Sequence, residues 1–499
     1  MQSTEEIWYQ VASGAVELRL GRHDFLSTPQ GGKILVDRRV IDIWRQADNQ
    51  TLKRLLETLP GEQYSETELR AALACLCQAG LLERRPEMLT DGSILSPHAG
   101  PLVSVIIVSY NSQSWLEECL DSLAKQSYQP LEIILVDNHS NDNTVAWITA
   151  NHPEIQLIRL SITVSLAQAI NAGAEAALGT YFLILNPDVR LELNSVAELV
   201  QAAQSEPNAA TLAAKLKLYW TPGFLNGMGN LVGAFGFGWD IGLGHLDLGQ
   251  FDGLSELPSA CFAAALIPRS AWQIVGPLDP EFPLYYEDSE WCYRARLLGL
   301  KIYAAPNAVV YHAFGSRTPD NPAPGISAIR LHRVVYGRLR FANKLLSDPY
   351  RRRFTRRYRA EDFLRLLIAF VRLRSSQVSP IWEGWKNFRQ ASDLPKLHAN
   401  LQRQRKIDDE TLFELQKAFP SPLIWRGSPV LTWDIIQSVY LYQIQARKTI
   451  ALPEFPDSFP IQRPAVNKLQ RWNEVCRLEG ISLLFHRLYR TIQWRLAHP

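Results

Sequence analysis

The chain has 499 residues, 46% hydrophobic and 20% charged. That is enough for roughly three domains with ordinary cores, and it excludes a disordered chain, a collagen and a small disulfide scaffold. Lys and Arg number 52 against 50 Asp and Glu, and the net charge of +2 sets up no global field that demands nucleic acid. Six scattered cysteines without CxxC spacing argue against a zinc ribbon and for a reducing compartment. The acidic N-terminal stretch lacks an apolar h-region, and no run reaches 18 uncharged apolar residues. The expectation is a cytoplasmic protein, or one held peripherally on the inner face of the plasma membrane.

Residues 1–90 form a first block. Val16–Leu20 and Lys33–Asp37 read as short strands around the turn Gly31-Gly32, and Val40–Trp44 starts a helix. Thr51–Leu59 and Glu66–Ala79 read as amphipathic helices, the second capped by Ser65 and stopped by Gly80. Leu81-Leu82-Glu83 closes a small winged-helix-like α+β unit. This order resembles the PqqD-like peptide-recognition domains, which implies a peptide or protein partner for residues 1–90; a small packing domain is the plainer alternative. Glu66-Thr67-Glu68 opens the would-be recognition helix and would repel phosphate, so no nucleic-acid partner is expected. Residues 91–101, rich in Gly, Ser and Pro, read as a linker.

Residues 102–317 alternate strand and helix. Val103–Val108 is a β-branched run of the kind buried on both sheet faces. Then come helix Trp115–Lys125, strand Ile133–Val136, helix Thr144–Ala150, strand Leu157–Leu160, helix Ala167–Ala177 and strand Tyr181–Leu185. Such alternation predicts an α/β fold with a mostly parallel sheet and helices on both faces, and a ligand beyond the carboxyl ends of its strands. Three of those ends are polar: Ser109-Tyr110-Asn111, then Asp137-Asn138 with the following polar run, then Asn186-Pro187-Asp188. Asp142 reads as the turn former before the helix at Thr144. Further on, Glu287-Asp288 precede the helix Ser289–Leu298, and His312 ends the strand-like Ala308–Tyr311. A glycine-rich stretch, residues 221–257, carries Phe235, Phe237, Trp239 and His245. It reads as a mobile lid or acceptor loop, or as an ordinary surface loop.

The segments VSVIIVSYNS, LEIILVDNHSNDNT, INAGAEAALGTYFLILNPD, LYYEDSEWCYRARLLG and YAAPNAVVYH stand in that order over about 210 residues. Together they resemble glycosyltransferase family 2, with its GT-A nucleotide-diphosphosugar fold. Asn-Pro-Asp in place of Asp-x-Asp resembles the rhamnosyltransferase-type branch, which builds bacterial surface polysaccharides. The resemblance implies an inverting transfer from a nucleotide-diphosphate donor, dTDP-rhamnose-like or a UDP-sugar, to a hydroxyl of a glycan or lipid-linked glycan.

It implies Asp288 as general base with Glu287 orienting it. It places the donor on Ser109, Tyr110, Asn111, Asp137, Asn138, Asn171 and Asn186. It also implies a divalent cation, Mg²⁺ or Mn²⁺, on Asp188, with His312 as ligand, phosphate contact or structural residue. The residue chemistry agrees. Tyr110 can stack on a base, Asp137 can accept from a pyrimidine imide, and a carboxylate can hold a hard cation against a diphosphate. TVSLAQAINAG keeps Asn171 and Gly173 but lacks the family's usual glycines, and Ser259-Ala260 replaces a small-Gly pair. A non-catalytic scaffold of the same fold is therefore the alternative. No GxGxxG follows the first strand, which disfavours a nicotinamide enzyme.

Residues 318–499 read as helical. From Arg330 to Arg374 the stretch is dense in Lys and Arg against only Asp348, Glu361 and Asp362. The cluster Arg351–Arg359 followed by Phe363–Arg372 is the pattern of a surface-bound amphipathic helix, so residues 330–374 are expected to meet an anionic membrane, or else to form a solvated helical hairpin packed on the α/β domain. Residues 380–499 show no readable motif.

Overall fold

Valine and isoleucine at 103–108 fill both faces of the first long strand, β1 (His98–Ser109), in the computed structural model. The structure describes residues 7–59, 64–85, 98–233, 238–313, 328–371, 378–420, 422–425, 428–441 and 443–444. Residues 91–97 of the expected linker, Phe235, Phe237, Arg372 and residues 445–499 lie outside the described residues. The linker's last residues already belong to β1.

The strands that follow are β2 (Tyr128–Asp137), β3 (Gln156–Arg159), β4 (Tyr181–Leu185), β5 (Val189–Leu191), β6 (Ala209–Leu218), β7 (Ala264–Pro268) and β8 (Lys301–His312). Their order across the sheet is β5-β8-β6-β7-β4-β1-β2-β3. Strands β4, β1, β2 and β3 run parallel, and β6 and β8 are parallel to each other. Strand β7 is antiparallel to both β4 and β6, and this turns the second group to point the same way as the first. Hence the carboxyl ends of β1, β2, β4, β6 and β8 share one edge. Strand β7, the short edge strand β5 and the side strands Leu225–Gly227 and Glu256–Leu257 run against them.

The helices cover both faces, as an α/β sheet requires. Val103, Val105 and Ile107 pack toward helices Gln113–Ala124 and Ser195–Ser205. Ile106, Ile134 and Val136 pack toward Leu166–Ala176, Arg269–Val275 and Glu287–Leu297. Gly173 makes one of these contacts possible: a Cβ there would stand 2.5 Å from Ile106 Cγ2.

Residues 7–59 and 64–85 form the α+β unit expected, with three strands, Trp8–Val11, His23–Ser27 and Gln50–Thr51, that the sequence does not indicate. Val16–Leu20, His23–Ser27 and Lys33–Val36 make an antiparallel meander, and Trp8–Val11 pairs with Leu82–Arg85. Ser65 caps Glu66–Gln78 through a full capping box. The unit is packed hard on the α/β domain. Thr28 Oγ1 donates to the Trp220 carbonyl at 2.7 Å, and a Cβ at Gly32 would stand 2.0 Å from that same oxygen. Trp433 and Tyr440, from far along the chain, complete its core.

The glycine-rich stretch is neither lid nor surface loop over its described residues. Leu225–Gly227 pairs with β6, Asn230–Val232 pairs with Gly238–Asp240, and His245 and Phe251 are buried. Its glycines serve close approach: Gly244, at φ +74°, leaves 2.4 Å between a would-be Cβ and the Leu423 carbonyl.

The C-terminal helices are Ala328–Leu345, Asp348–Val371, Val378–Gln390, Leu394–Gln404 and Asp409–Glu414. Several basic residues expected to face a membrane are internal. Arg338 is buried between Glu361 and Asp362, and Arg340 and Lys344 are buried on Asp279. The sequence shows their charge but not these partners. No described helix is long and apolar enough to cross a membrane.

Candidate active site

Strand register assembles the first half of the site. In β5 and β8, Val189 pairs with His312, which sets Asp188 beside the imidazole. His312 Nε2 lies 3.4 Å from Asp188 Oδ1 and 3.3 Å from Asn186 Nδ2. Both Asp188 and His312 are buried. Among the described residues no three His, Cys, Asp or Glu side chains cluster as a complete metal cage. A carboxylate, an imidazole and a neighbouring amide nevertheless suit a cation such as Mg²⁺ or Mn²⁺, which takes few protein ligands and fills its remaining positions with substrate phosphates and water.

The second half sits on helix Glu287–Leu297. Its entry is strained: Tyr285 and Tyr286 have φ of 70° and 72°, costly for residues with a Cβ. Tyr286 is wedged against Gly337, where a Cβ would stand 2.7 Å from its ring. Asp288 accepts from Asn230 Nδ2 at 3.0 Å and from Ser289 N at 2.6 Å. Glu287 is buried, and its Oε2 has no hydrogen-bond partner. Burial raises both carboxyls above the ordinary range. For Glu287 the neighbouring Asp288 raises it further, while hydrogen bonds from Ser289 and Asn230 oppose the rise at Asp288.

Asp240, which the sequence does not single out, stands between the halves. Desolvation pushes its carboxyl up to about 7, with repulsion from Asp288 adding and attraction to His312 opposing. Asn226 Nδ2 donates to Asp240 Oδ2 at 3.2 Å, and Asn226 Oδ1 lies 2.6 Å from His312 Nδ1. Asp188 and Asp288 therefore border one polar cluster. Arg330 and Arg333, from helix Ala328–Leu345, add positive charge that acts on Asp240 and Glu287 respectively. Asn226, Asn230 and Asp240 come from the glycine-rich stretch, and their nearest sequence signal is polar residues set among glycines without helix or strand period.

The other strand ends fall on the same edge. Ser109 and Asp137 are paired neighbours in β1 and β2. Asp137 is buried and accepts from Ser140 N at 3.2 Å with Oδ2, while its Oδ1 has no partner; Ser109 Oγ is also buried without one. Tyr110 is 49% exposed beside them. Asn111, at φ 51°, accepts from Asn141 N at 2.8 Å and ties the first two strand ends together. Asn138 brackets the backbone of Val164, and Asn171 brackets that of Leu278. Asp142 accepts from Thr144 N at 3.0 Å and is a turn former.

Residues 104–269 match the model of Glycosyl transferase family 2. Over those residues, about a third of its length, the chain is similar to that family. Its sheet, with one antiparallel strand between two parallel groups and helices on both faces, is the α/β GT-A arrangement.

Glycosyltransferase GlyG of Streptococcus pneumoniae is 33% identical over 108 residues, 21% of this chain and 36% of that protein. The N-acetylglucosaminyl-diphospho-decaprenol L-rhamnosyltransferase of Mycobacterium tuberculosis is 25% identical over 252 residues, 46% of this chain and 81% of that protein. A crystal structure of GalNAc-T7 with UDP, GalNAc and Mn²⁺ aligns with a TM-score of 0.44 at 18% identity, over 64% of this chain and 58% of that one. The chain thus spans about a third of the length of the first of these relatives.

Proposed function

We propose that this protein is an inverting, cation-assisted glycosyltransferase. It moves a sugar from a nucleotide diphosphate, dTDP-rhamnose-like or a UDP-sugar, to a hydroxyl of a glycan or lipid-linked glycan in bacterial polysaccharide synthesis. The observation that carries the reading is the meeting of Asp188–His312 and Glu287–Asp288 at one polar cluster on the strand-end edge of a family 2 domain. Likeness to the mycobacterial rhamnosyltransferase supports the donor and the lipid-linked acceptor.

Tyr110 stacks on the base while Asp137 Oδ1 accepts its imide N–H, with Ser109 beside it and Asn111, Asn138 and Asn171 holding the surrounding loops. Asp188 and His312, flanked by Asn186, would hold Mg²⁺ or Mn²⁺, which when bound offsets the diphosphate charge. Asp288 takes the proton of the acceptor hydroxyl, and Glu287 orients it. The acceptor oxygen bonds to the anomeric carbon as the carbon–oxygen bond to the diphosphate breaks. The nucleoside diphosphate leaves with the electron pair, and a single displacement inverts the anomeric centre.

Two partners extend this reading. The outer edge of Val16–Leu20, with Val16 and Leu20 exposed, is the place for a peptide or protein added to residues 1–90. The exposed face of helix Asp348–Val371 is the place for an anionic membrane surface, which would hold the enzyme on the inner leaflet.

The test is a thermal-shift panel of UDP-, dTDP- and GDP-sugars with Mg²⁺ or Mn²⁺, followed by transfer and donor-hydrolysis assays on wild type and Asp288→Asn. One donor class should raise the melting temperature of both proteins. Turnover should fall about 10²–10⁴-fold in the variant. A shift without turnover in wild type identifies a non-catalytic scaffold, and neither shift nor turnover ends the reading.

A further inference from the structure

Asp240 has no place in the family motifs, yet it is joined by hydrogen bonds to the residue beside Asp188. Its Oδ2 accepts from Asn226 Nδ2 at 3.2 Å. An ionised carboxylate accepts and only the nitrogen of an amide donates, so with Asp240 ionised this contact fixes which way Asn226 faces. The amide oxygen is left toward His312 Nδ1, at 2.6 Å. A carbonyl oxygen only accepts, so Nδ1 must carry a hydrogen. In the neutral imidazole the lone pair then belongs to Nε2, the atom that faces Asn186 and Asp188.

The backbone keeps this relay in register. Asp240 pairs with Asn230 across a hairpin, and Asn226 lies in the strand Leu225–Gly227 beside β6. Gly227 lets the two segments meet, since a Cβ there would stand 2.7 Å from Asp240 Cβ. The same hairpin supplies Asn230 to Asp288.

We propose that Asp240 is a positioning residue which, through Asn226, fixes His312 as its Nδ1–H tautomer and presents the Nε2 lone pair beside Asp188. This rests on the reading that Asp188 and His312 meet the donor's cation. Without Asp240 the amide is free to turn, Asn226 Nδ2 can donate to Nδ1, and the lone pair moves to the wrong side of the ring. An outer hydrogen-bond partner of a histidine ligand is generally worth about 10–100-fold in metal affinity.

The test uses the full chain with ¹⁵N-histidine, at a pH where the imidazole is neutral and the Asp240 carboxyl ionised, with no metal added. Long-range ¹H–¹⁵N correlation reports the tautomer directly, and His312→Gln assigns the signal. Wild type should show Nδ1–H. Asp240→Ala and Asn226→Ala should each move the population toward Nε2–H and weaken Mn²⁺ binding, followed by electron paramagnetic resonance, by about 10–100-fold. A wild-type His312 with hydrogen on Nε2 overturns the proposal whether or not the variants fold. So does a variant that folds and keeps both the Nδ1–H signal and the Mn²⁺ affinity. A switched tautomer in a protein that never binds Mn²⁺ upholds the relay and removes the metal reading instead.

Discussion

Glu287 and Asp288 are two adjacent carboxyls at a helix N-terminus, where the macrodipole favours negative charge. Burial wins at both: among the described residues no cation pairs directly with either carboxyl, and the charge of Arg333 opposes the rise at Glu287 only in part. A carboxyl raised in the folded state holds its proton more tightly there than in the unfolded chain. Its contribution to stability is then complete below the ordinary carboxylate pKa and is lost as pH rises through the raised value. Glu287→Gln removes that dependence while keeping the shape. Wild type and variant should melt alike near pH 4, and the variant should melt higher at pH 8, by roughly 1.4 kcal/mol for every tenfold by which folding tightens the hold on that proton. Calorimetry across pH checks this, and a gap that does not change with pH would show that Glu287 is not held above its ordinary range.

At the scale of elements, helix Ala328–Leu345 secures helix Glu287–Leu297 from behind. Lys344 Nζ lies 2.7 Å from Asp279 and 3.0 Å from Glu290, and Arg340 grips Asp279 with two bonds of 2.9 Å. Those cations, Lys344 first, hold the Asp279 carboxyl down at about 2. Its stabilisation is therefore present above the ordinary carboxylate pKa and is lost as pH falls toward 2. Asp279→Asn leaves two buried cations short of a partner and should cost about 3–5 kcal/mol. Asp279→Leu with Arg340→Met and Lys344→Met should recover most of that loss. Chemical denaturation measures both, and a single variant costing under about 1 kcal/mol would show that the network does not anchor the helix.

This network also marks the limit of what the sequence tells. Val103–Val108 and Tyr181–Leu185 are legible because apolar runs between turn residues leave few options, and Asn186–Asp188 and Glu287-Asp288 are legible because they sit where such elements end. Asp279, Glu361, Asp362 and Asp393 are spread along the chain, so nothing local pairs them with Arg338 and Arg340. Asn226 and Asp240 are hidden for a related reason: their stretch folds by long-range pairing on β6, without a helix or strand period of its own.

For the whole molecule, removing the buried cations from the basic region sharpens what is left. On helix Asp348–Val371 the exposed residues are Asp348 and Pro349 in the first turn, then Arg352, Arg353, Arg356, Arg359, Ala360, Phe363, Leu364 and Leu367 among the described side chains. Their spacing places them along one face, basic toward the N-terminus and apolar toward the C-terminus. Phe363 is 70% exposed and Leu367 50%, while Phe354, Tyr358, Glu361 and Asp362 on the other side are buried. Large apolar side chains beside arginines combine the two attractions of an interfacial helix, insertion and pairing with anionic headgroups at about 1 kcal/mol per basic residue. Replacing Arg352, Arg353, Arg356 and Arg359 by Gln should therefore lower partitioning onto phosphatidylserine vesicles by about 10²-fold or more and remove most of its salt dependence. Phe363→Ser with Leu367→Ser should weaken binding while leaving the salt dependence in place. Donor hydrolysis in solution should survive both sets, because none of these side chains touches the strand-end cluster. Vesicle sedimentation across ionic strength separates the two contributions, and equal binding to neutral vesicles would rule out the electrostatic one.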